Sequence, residues 1–118
     1  MTFLPGDLIL VSFPYSDLST TKRRPVLVLT APDGRSDFIC LAVTSVPTAE
    51  HAIILDYDAL IDGDLPKRSW VRTDKIFTLN TKLVKGVFAQ TSPSFFKQIL
   101  KNLCNILGLD QDATFIDE

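Results

Sequence analysis

Two charged residues of one predicted strand are spaced so that they could carry out acid-base or phosphate chemistry. In the segment "SWVRTDKIFTL", Arg72 and Asp74 stand two residues apart. Because side chains alternate between the two faces of a strand, both should project from one face, together with Trp70. A guanidinium beside a carboxylate can bind a phosphate and accept a proton. The competing interpretation is a surface ion pair, which is more common and contributes only about 0 to 1 kcal/mol to stability.

Arg24 is a second candidate, because it ends a run of three cations directly before Pro25. A residue that precedes proline is restricted to extended backbone angles, which fixes the direction of its side chain. An arginine held in this way can bind a phosphate through two parallel hydrogen bonds. A charge that keeps a sheet edge soluble explains the residue equally well. Thr44 ends the strand-like segment "FICLAVT", where a hydroxyl more often bonds the backbone of its own loop.

Other site signatures are missing from the sequence. It contains no phosphate-binding loop, dinucleotide fingerprint, HExxH motif, CxxC pair or GxSxG elbow. The one histidine, His51, has Glu50 beside it and no second imidazole, so a histidine-based metal site is not expected. The aspartates between residues 56 and 64 lack the ligand spacing of a calcium loop. We therefore expect neither a metal ion nor a cofactor.

Short strands must position these residues. The patterns predict about six strands, at intervals typical of a small barrel or sandwich: "DLILVSF", "PVLVLT", "FICLAVT", "AIILDY", "SWVRTDKIFTL" and "LVKGVFAQ". The turn signal "APDGRSD" indicates an antiparallel hairpin from Pro25 to Thr44. The segments "PYSDLSTTKR" and "DALIDGDLPKR" are typical of loops.

The end of the chain changes to a helical pattern. Ser92 and Pro93 are typical of an N-cap and a first helical residue, and Gly108 is typical of a helix end. Apolar residues recur between them at helical spacing and predict a face that packs on the sheet: Phe96, Ile99, Leu100, Leu103 and Leu107. The residues from 109 to 118 are interpreted as a polar tail of a single domain spanning 1–118.

Composition narrows the classes of function. The chain has 118 residues, of which 46% are hydrophobic and 22% charged, as in an ordinary globular domain. No apolar segment reaches the length of a membrane span, and the N-terminus lacks the pattern of a secretion signal, so we expect a cytoplasmic protein without a membrane partner. Cys40 and Cys104 share no motif spacing and are expected to be reduced, apolar fillers.

The charge is small in sum but uneven in distribution. A net charge of -2 argues against a protein whose whole surface binds nucleic acid. Cations cluster at Lys22, Arg23 and Arg24, and again between residues 67 and 75. A local basic cleft would bind a short anionic segment, whereas a solvated mixed-charge surface remains the default interpretation of either cluster.

The segments together resemble one known family. "GDLILVSFPYSD", "RPVLVLT", "AVTS", "VRTD" and a C-terminal amphipathic helix are similar to the MazF/PemK toxins of bacterial type II toxin-antitoxin modules. The similarity runs from Gly6 to about Leu107. The resemblance implies a mainly β fold, a small SH3-like barrel of about six to seven strands with the helix packed outside, which works as a homodimer.

The resemblance also implies an activity and partners. Members of the family are metal-independent endoribonucleases that cleave single-stranded RNA, usually messenger RNA, and a cognate antitoxin protein inhibits them. Operator DNA would be bound only through the antitoxin complex. The alternative function is a toxin-fold binding module without catalysis, which blocks a protein target such as DNA gyrase or binds only antitoxin or operator DNA.

By this resemblance the catalytic positions of the family fall on Arg24, Thr44, Arg72 and Asp74. Asp74 would be the base, Arg72 a phosphate ligand or proton donor, and Arg24 with Thr44 would hold the non-bridging phosphate oxygens. The 2′-hydroxyl of RNA would attack its own phosphate and leave a 2′,3′-cyclic phosphate and a 5′-hydroxyl.

RNA contacts are expected around the loop that precedes the arginine-proline pair. Many relatives carry a glutamate or histidine in that loop, whereas this chain has "SDLSTTK". The predicted RNA-binding residues are Ser19, Thr20, Lys22, Arg23 and Trp70. Three aromatic residues could stack on unpaired bases, although each is more typical of a core: Phe13, Tyr15 and Trp70.

Overall fold

A computed structural model describes residues 2–14 and 21–109, in which seven strands form one antiparallel sheet. The strands are β1 (Asp7–Pro14), β2 (Thr21–Val28), β3 (Asp37–Thr44), β4 (Ala52–Leu55), β5 (Leu60–Gly63), β6 (Ser69–Asn80) and β7 (Val84–Thr91), and the helix is α1 (Pro93–Ile106). Their order in the sheet is β4-β6-β3-β2-β1-β7-β5, and the sheet curls into a half-barrel. The expected mainly β fold with a C-terminal helix is confirmed.

Two segments differ from the expectation that they are loops. Strand β2 begins at Thr21, so the cationic run Lys22–Arg24 lies within a strand. Strand β5 forms inside the expected polar connection because it pairs with β7. Gly63 makes that pairing close: its φ is +86°, and a Cβ there would lie 2.2 Å from the carbonyl oxygen of Phe88. Tertiary pairing, rather than an alternating pattern, produces this strand.

The sheet has two buried faces, each filled by alternate residues of the strands. The helix face carries a cluster that includes Leu27 of β2 and Ile99 of α1. The distal face, on the opposite side of the sheet, carries a cluster that includes Val11 and Val26. Leu27 and Val26 are adjacent in sequence and point in opposite directions, as the period of two requires. The face from which a side chain leaves therefore follows from its position in the strand.

Strand β6 contains an irregularity that matters for the site. Leu41 of β3 pairs with Ile76, but the next residue, Ala42, pairs with Arg72. The residues 73–75 are therefore extra on the β6 side, which bends the strand as a β-bulge does. Asp74 stands in the middle of this bulge and is exposed.

The helix begins and ends where the sequence predicts. The Ser92 Oγ accepts a hydrogen bond from the Phe95 backbone N–H at 3.1 Å, Pro93 is its first residue, and Gly108 follows it at a φ of +93°. None of the helices in the described ranges is long and apolar enough to cross a bilayer.

The expected apolar face of the helix is correct only in part. Ile99 is fully buried, but Leu100 is 38% exposed and Leu107 is 65% exposed. Phe95, which the pattern did not select, is buried instead. The Thr73 hydroxyl, itself fully buried, donates a 2.7 Å hydrogen bond to Asn102 Oδ1 of the helix. The helix therefore faces β6 with the side that carries Asn102, and Leu100 and Leu107 lie outside the core.

Candidate functional site

Three neighbouring strands bring most of the candidate residues to the distal face. Arg24 pairs with Val11 across β1 and β2, and Val11 is a buried member of the distal cluster. Thr44 pairs with Trp70 across β3 and β6. Thr44 is an even-numbered residue of β3, like Cys40, which belongs to the distal cluster. The side chains of Arg24, Thr44 and Trp70 therefore leave the sheet on one side.

Arg24 and Thr44 lie on adjacent strands, Arg24 as the fourth residue of β2 and Thr44 as the last residue of β3. Strands β2 and β3 pair through Val26 and Ala42, and two further residues along each strand bring the chain to Arg24 and Thr44. Both residues border the same cavity. The pairing of the two strands stops at Val26 and Ala42, so the shared cavity is the observation that brings Arg24 and Thr44 together.

The Thr44 hydroxyl already has one partner. Its Oγ1 accepts a hydrogen bond of 3.1 Å from the backbone N–H of Val46. This is the local loop contact expected of a strand-end threonine. The bond uses a lone pair of the oxygen and leaves the hydroxyl proton available for donation. Thr44 can therefore stabilise its loop and donate to an anion at the same time.

Arg72 and Asp74 form the pair that their spacing predicts. Arg72 Nε donates to Asp74 Oδ1 and Arg72 Nη2 donates to Asp74 Oδ2, each at 3.0 Å. The side chains are 27% and 29% exposed. The hydrogen bonds from Arg72 hold the pKa of the Asp74 carboxyl below its usual value, and the same bonds raise the pKa of the Arg72 guanidinium. Asp74 is thus ionised at neutral pH, and each of its oxygens accepts one hydrogen bond from Arg72.

The ion pair of Arg72 and Asp74 lies next to Arg24 and Thr44 on the same face of the sheet. Arg72 pairs with Ala42, two residues from the pairing of Trp70 with Thr44. Neither Arg72 nor Asp74 borders the cavity that Arg24 and Thr44 share. Trp70 is half-buried between the two groups and also faces Ile54 of β4. The candidate residues therefore form two adjacent groups on one face of the sheet.

The remaining candidates divide between the cavity and the undescribed part of the chain. Lys22 and Arg23 are exposed and border the cavity. Ser19, Thr20 and Tyr15 lie outside the described residues, as does the side chain of Phe13.

The second cationic cluster does not form one basic patch. Arg68 donates a 3.1 Å hydrogen bond to Asp56, and Arg72 is paired with Asp74. Each arginine therefore carries an acidic neighbour, and its charge is largely compensated locally. Lys67 is different, because it borders the cavity beside Arg23.

The sequence allows a basic cleft at Lys22–Arg24, but it does not predict the position of the other wall of the cavity. The cavity has a volume of about 660 Å³ and lies between the start of β2, the end of β3 and the segment that joins β5 to β6. It is lined by Leu10, Lys22, Arg23, Arg24, Pro25, Val43, Thr44, Ser45, Val46, Asp64, Leu65, Pro66, Lys67, Ser69 and Phe88. In the sequence, the segment 64–67 is typical of an ordinary polar connection. Only the pairing of β5 with β7 brings this segment next to Lys22 and Arg23 near the start of β2.

His51 also comes closer to the candidate site than the sequence indicates. Its carbonyl oxygen accepts a 3.0 Å hydrogen bond from the backbone N–H of Thr73, next to Asp74. The proximity of His51 adds a small electrostatic contribution to the lowered pKa of Asp74. Among the described residues, no three side chains of histidine, cysteine, aspartate or glutamate converge as metal ligands.

A family model covers nearly the whole described chain. The model, described as "PemK-like, MazF-like toxin of type II toxin-antitoxin system", matches residues 4–107. No curated protein sequence matches the chain.

Solved structures share the fold at low sequence identity. An endoribonuclease in complex with its cognate antitoxin, from a mycobacterial species, superposes with a TM-score of 0.70 at 17% identity, covering 92% of this chain and 96% of that one. A MazE-MazF complex from Deinococcus radiodurans gives 0.71 at 17% identity, with 93% and 99% covered. The Mycobacterium tuberculosis toxin MazF-mt6 gives 0.69 at 18% identity, with 88% and 98% covered.

Proposed function

The chain belongs to the PemK-like, MazF-like toxins of type II toxin-antitoxin systems, and from this we propose that it is a metal-independent endoribonuclease that cleaves single-stranded messenger RNA in the cytoplasm. A cognate antitoxin protein is its proposed inhibitor, and a homodimer its proposed working form. Operator DNA is bound only through the antitoxin complex in this proposal. Structural neighbours described as an endoribonuclease with its antitoxin and as a MazE-MazF complex support the assignment.

One observation carries the proposal. Arg24 and Thr44 stand on adjacent strands, on the face that also carries the Arg72 and Asp74 pair. A phosphodiester at this place would meet two cationic side chains, one hydroxyl donor and one carboxylate.

The proposed chemistry needs few groups because RNA supplies its own nucleophile. The 2′-oxygen attacks the adjacent phosphorus, its proton passes to the Asp74 carboxylate, and the bond from phosphorus to the 5′-oxygen breaks. The 5′-oxygen takes up a proton from water, which leaves a 2′,3′-cyclic phosphate and a 5′-hydroxyl. Arg24 and Thr44 donate to the non-bridging oxygens, where negative charge builds up in the transition state.

A rearrangement would make Asp74 a stronger base. Each of its oxygens accepts one hydrogen bond from Arg72 in the structure and keeps a further lone pair. These bonds lower the pKa of Asp74 and so weaken it as a base. A substrate phosphate competes with Asp74 for the same guanidinium, and a shift of Arg72 towards it would raise the basicity of the carboxylate. Arg72 acts through its charge in this scheme, because an arginine with a pKa above about 12 is a poor proton donor.

Substrates with a single chemical change test the mechanism. The purified chain is incubated with a single-stranded RNA, with the same RNA carrying one 2′-deoxy residue at the cut site, and with a chelator present. We expect cleavage of the first substrate, none of the second, and no effect of the chelator. Cleavage of the 2′-deoxy substrate would refute attack by the 2′-hydroxyl.

Single alanine variants test the proposed roles of Arg24 and Thr44. Arg24→Ala and Thr44→Ala each remove a donor to the developing charge, so each should lower the cleavage rate by about 10² to 10³. Arg35→Ala is the matched control for arginine, because the Arg35 side chain is 85% exposed beside Asp33, at the far end of β3. Equal losses in Arg24→Ala and Arg35→Ala would contradict the assignment.

The double variant Arg24→Ala with Asp74→Asn separates catalysis from binding. An enzyme should lose toxicity and RNA cleavage while its mass in light scattering and its affinity for antitoxin stay unchanged. A module that only blocks a protein target or binds DNA should keep its toxicity. Retained toxicity would favour that second function.

A further inference from the structure

Asp74 stands in a part of β6 that the neighbouring strand does not hold. Arg72 and Ile76 pair with adjacent residues of β3, so the residues 73–75 have no partner in that strand. The bulge also reverses the alternation of side chains. Arg72 projects from the distal face, whereas Ile76 lies opposite Leu41, a member of the helix-face cluster. The position of Asp74 must therefore be fixed by contacts outside the pairing of β3 with β6.

Thr73, the first residue of the bulge, is held on the helix side of the sheet. The residue is fully buried, and its backbone N–H donates a 3.0 Å hydrogen bond to the carbonyl oxygen of His51. Its Oγ1 lies 2.7 Å from Asn102 Oδ1 of α1 and 3.0 Å from the same oxygen of His51. The one hydroxyl proton can be donated to either acceptor. Thr73 thus joins β6 both to the helix and to the segment before β4.

Packing alone does not require a polar pair at this place. Val71, two residues earlier in β6, and Ile99 of α1 are fully buried members of the helix-face cluster. A valine at position 73 would have nearly the shape of threonine and would bury no hydroxyl. A hydrogen bond depends on direction as well as distance, whereas apolar burial is non-directional. The contact between Thr73 and Asn102 therefore specifies one position of the bulge, where apolar contacts would tolerate several.

The direction of Thr73 also determines the direction of the carboxylate that follows it. Successive side chains of an extended chain leave on opposite sides, so a Thr73 held towards the helix directs Asp74 towards the distal face. There Asp74 accepts two hydrogen bonds from Arg72, each at 3.0 Å. The two side chains are 27% and 29% exposed, and a partly exposed ion pair constrains its partners only weakly. The orientation of Asp74 therefore depends on the buried contacts of Thr73.

We propose that Thr73 and Asn102 are positioning residues, which hold the bulge of β6 so that Asp74 stands beside Arg72 in the geometry that cleavage requires. The inference rests on the proposed ribonuclease function, in which Asp74 is the base. Thr73 and Asn102 act through Asp74 and do not touch the substrate. A reacting group misplaced by about 1 Å can lower a rate by about 10²-fold, so a buried contact on the helix side of the sheet can affect catalysis on the distal face.

Three variants separate the position of Asp74 from the stability of the fold. Thr73→Val removes the hydroxyl and keeps the shape of the side chain. Thr73→Ser keeps the hydroxyl and should preserve the wild-type behaviour. The double variant Thr73→Val with Asn102→Leu replaces both partners by apolar groups, a change that can be nearly neutral for stability. The double variant thus loses the directional contact without leaving a buried polar group unpaired.

Thr91→Val is the matched control. Thr91 is also a buried threonine, and its Oγ1 donates a 2.7 Å hydrogen bond to the carbonyl oxygen of Gly6. Three strands separate β7, which carries Thr91, from β6 in the sheet. The control therefore removes the same kind of hydrogen bond at a similar depth, away from Asp74. Thermal melting of every variant measures its loss of stability.

The first measurement is the kinetics of cleavage of a single-stranded RNA at neutral pH. We expect Thr73→Val and the double variant to lower kcat by roughly 10- to 100-fold, while Thr73→Ser and Thr91→Val stay close to the wild type. KM should change little, because Arg24 and Thr44, the proposed phosphate ligands, are unaltered.

Two kinetic results would overturn the inference and leave the ribonuclease function intact. One is a double variant that melts at the wild-type temperature and cleaves with the wild-type kcat. The other, which decides the question if the double variant is less stable, is an equal loss of kcat in Thr73→Val and Thr91→Val. Such a loss would reflect reduced stability rather than the position of Asp74.

The second measurement does not need cleavage. Carbon-13 NMR gives the titration midpoint of the Asp74 carboxyl, whose pKa the hydrogen bonds from Arg72, and to a smaller extent the nearby His51, hold below the ordinary value of 3.8. Thr73→Val and the double variant should move this midpoint upward, because a mobile bulge no longer keeps the carboxylate against the guanidinium. Thr91→Val should leave it unchanged. A double variant with the wild-type midpoint would overturn the inference.

The two measurements distinguish a failure of the inference from a failure of the proposed function. If the wild type cleaves RNA and the double variant keeps both its kcat and its midpoint, the function stands and the inference is wrong. If the wild type cleaves no RNA, the proposed function fails, and the NMR midpoint alone decides whether Thr73 and Asn102 position Asp74.

Discussion

Arg72 and Asp74 show how spacing alone can specify a contact. The two residues stand on one face of β6 and form a two-armed ion pair, as their separation by two predicts. Such a pair is partly exposed, so its contribution to stability is modest. In the proposed enzyme, the pair would orient the two side chains, because the hydrogen bonds of each residue hold the side chain of the other in place.

A titration of Asp74 tests the pair. Its carboxyl pKa should lie below the ordinary value of 3.8 because of the Arg72 hydrogen bonds. The pair stabilises the fold at pH values above that ordinary value, and the contribution is lost as the pH falls through the lowered pKa. Carbon-13 NMR of the carboxyl should show the midpoint moving upward in Arg72→Ala. An unchanged midpoint in that variant would contradict the pairing in solution.

The two thiols should differ in reactivity. Cys40 is fully buried, and burial raises its pKa to about 12, whereas Cys104 is exposed. Since the thiolate is the reactive form, iodoacetamide at neutral pH should modify one thiol per native chain and two in denaturant. Mass spectrometry should place the native label on Cys104, and Cys104→Ser should abolish it. Rapid labelling of Cys40 in the native protein would be inconsistent with the buried strand.

The raised thiol pKa also predicts a loss of stability in alkali. The folded state holds the Cys40 proton more tightly than the unfolded state, whose thiol has a pKa near 9.0. The unfolded state therefore binds fewer protons between pH 9 and about 12, and the free energy of unfolding falls as the pH rises there. Urea melts at pH 8 and pH 10 should show a fall that is smaller in Cys40→Ala than in the wild type.

At the scale of elements, the helix shows that a periodic pattern does not determine a rotation. Five apolar residues on one side of α1 indicate an amphipathic helix, and the helix is present with the expected caps. The buried side nevertheless includes Phe95, and Thr73 of β6 bonds Asn102 on that side of the helix. Hydrophobic periodicity selects a broad arc of the helix, and contacts with residues distant in sequence define which part of that arc meets the sheet.

Paired truncations of the helix test this rotation. Ile99→Ala removes a fully buried side chain and should lower the free energy of unfolding by about 2 to 5 kcal/mol. Leu107→Ala, an equally apolar residue of the same predicted stripe, should change it by less than about 0.5 kcal/mol. Urea unfolding of both variants measures the difference. Similar costs in the two variants would place both side chains in the core and refute the observed rotation.

At the scale of the whole molecule, the opposing signs of local and total charge would set the kind of nucleic acid that the proposed enzyme binds. The chain has a net charge of -2, while four cations border one cavity at the strand ends. An acidic body repels a long duplex, and a local cationic rim still attracts a few phosphates. A short single strand satisfies both conditions.

The salt dependence of RNA binding should reflect this distribution. With three to four phosphates neutralised at the rim, the logarithm of the binding constant should fall with the logarithm of salt concentration at a slope of about -2 to -3. Anisotropy titrations of an uncleavable single-stranded RNA between 50 and 300 mM salt give the slope. A duplex of the same sequence is the control and should bind more weakly. A slope near zero, or a preference for the duplex, would contradict binding at the cationic rim.

Local chemistry in the sequence was enough for six of the seven strands, the helix caps and the Arg72 and Asp74 pair. Strand alternation, a serine and proline before the helix, and a spacing of two are all short-range signals, and the structure follows them. The family resemblance also rests on local segments, and the family model covers the same region.

The tertiary structure alone decided the cavity, strand β5 and the rotation of the helix. Each depends on contacts between residues far apart in sequence: Gly63 against Phe88, and Thr73 with Asn102. The segment 64–67 carries no pattern that distinguishes it from a solvated loop, and it meets the cationic strand end only after β5 pairs with β7. The energy of such strand pairing comes from residues throughout the sheet, so it cannot be predicted from the residue types of one short segment.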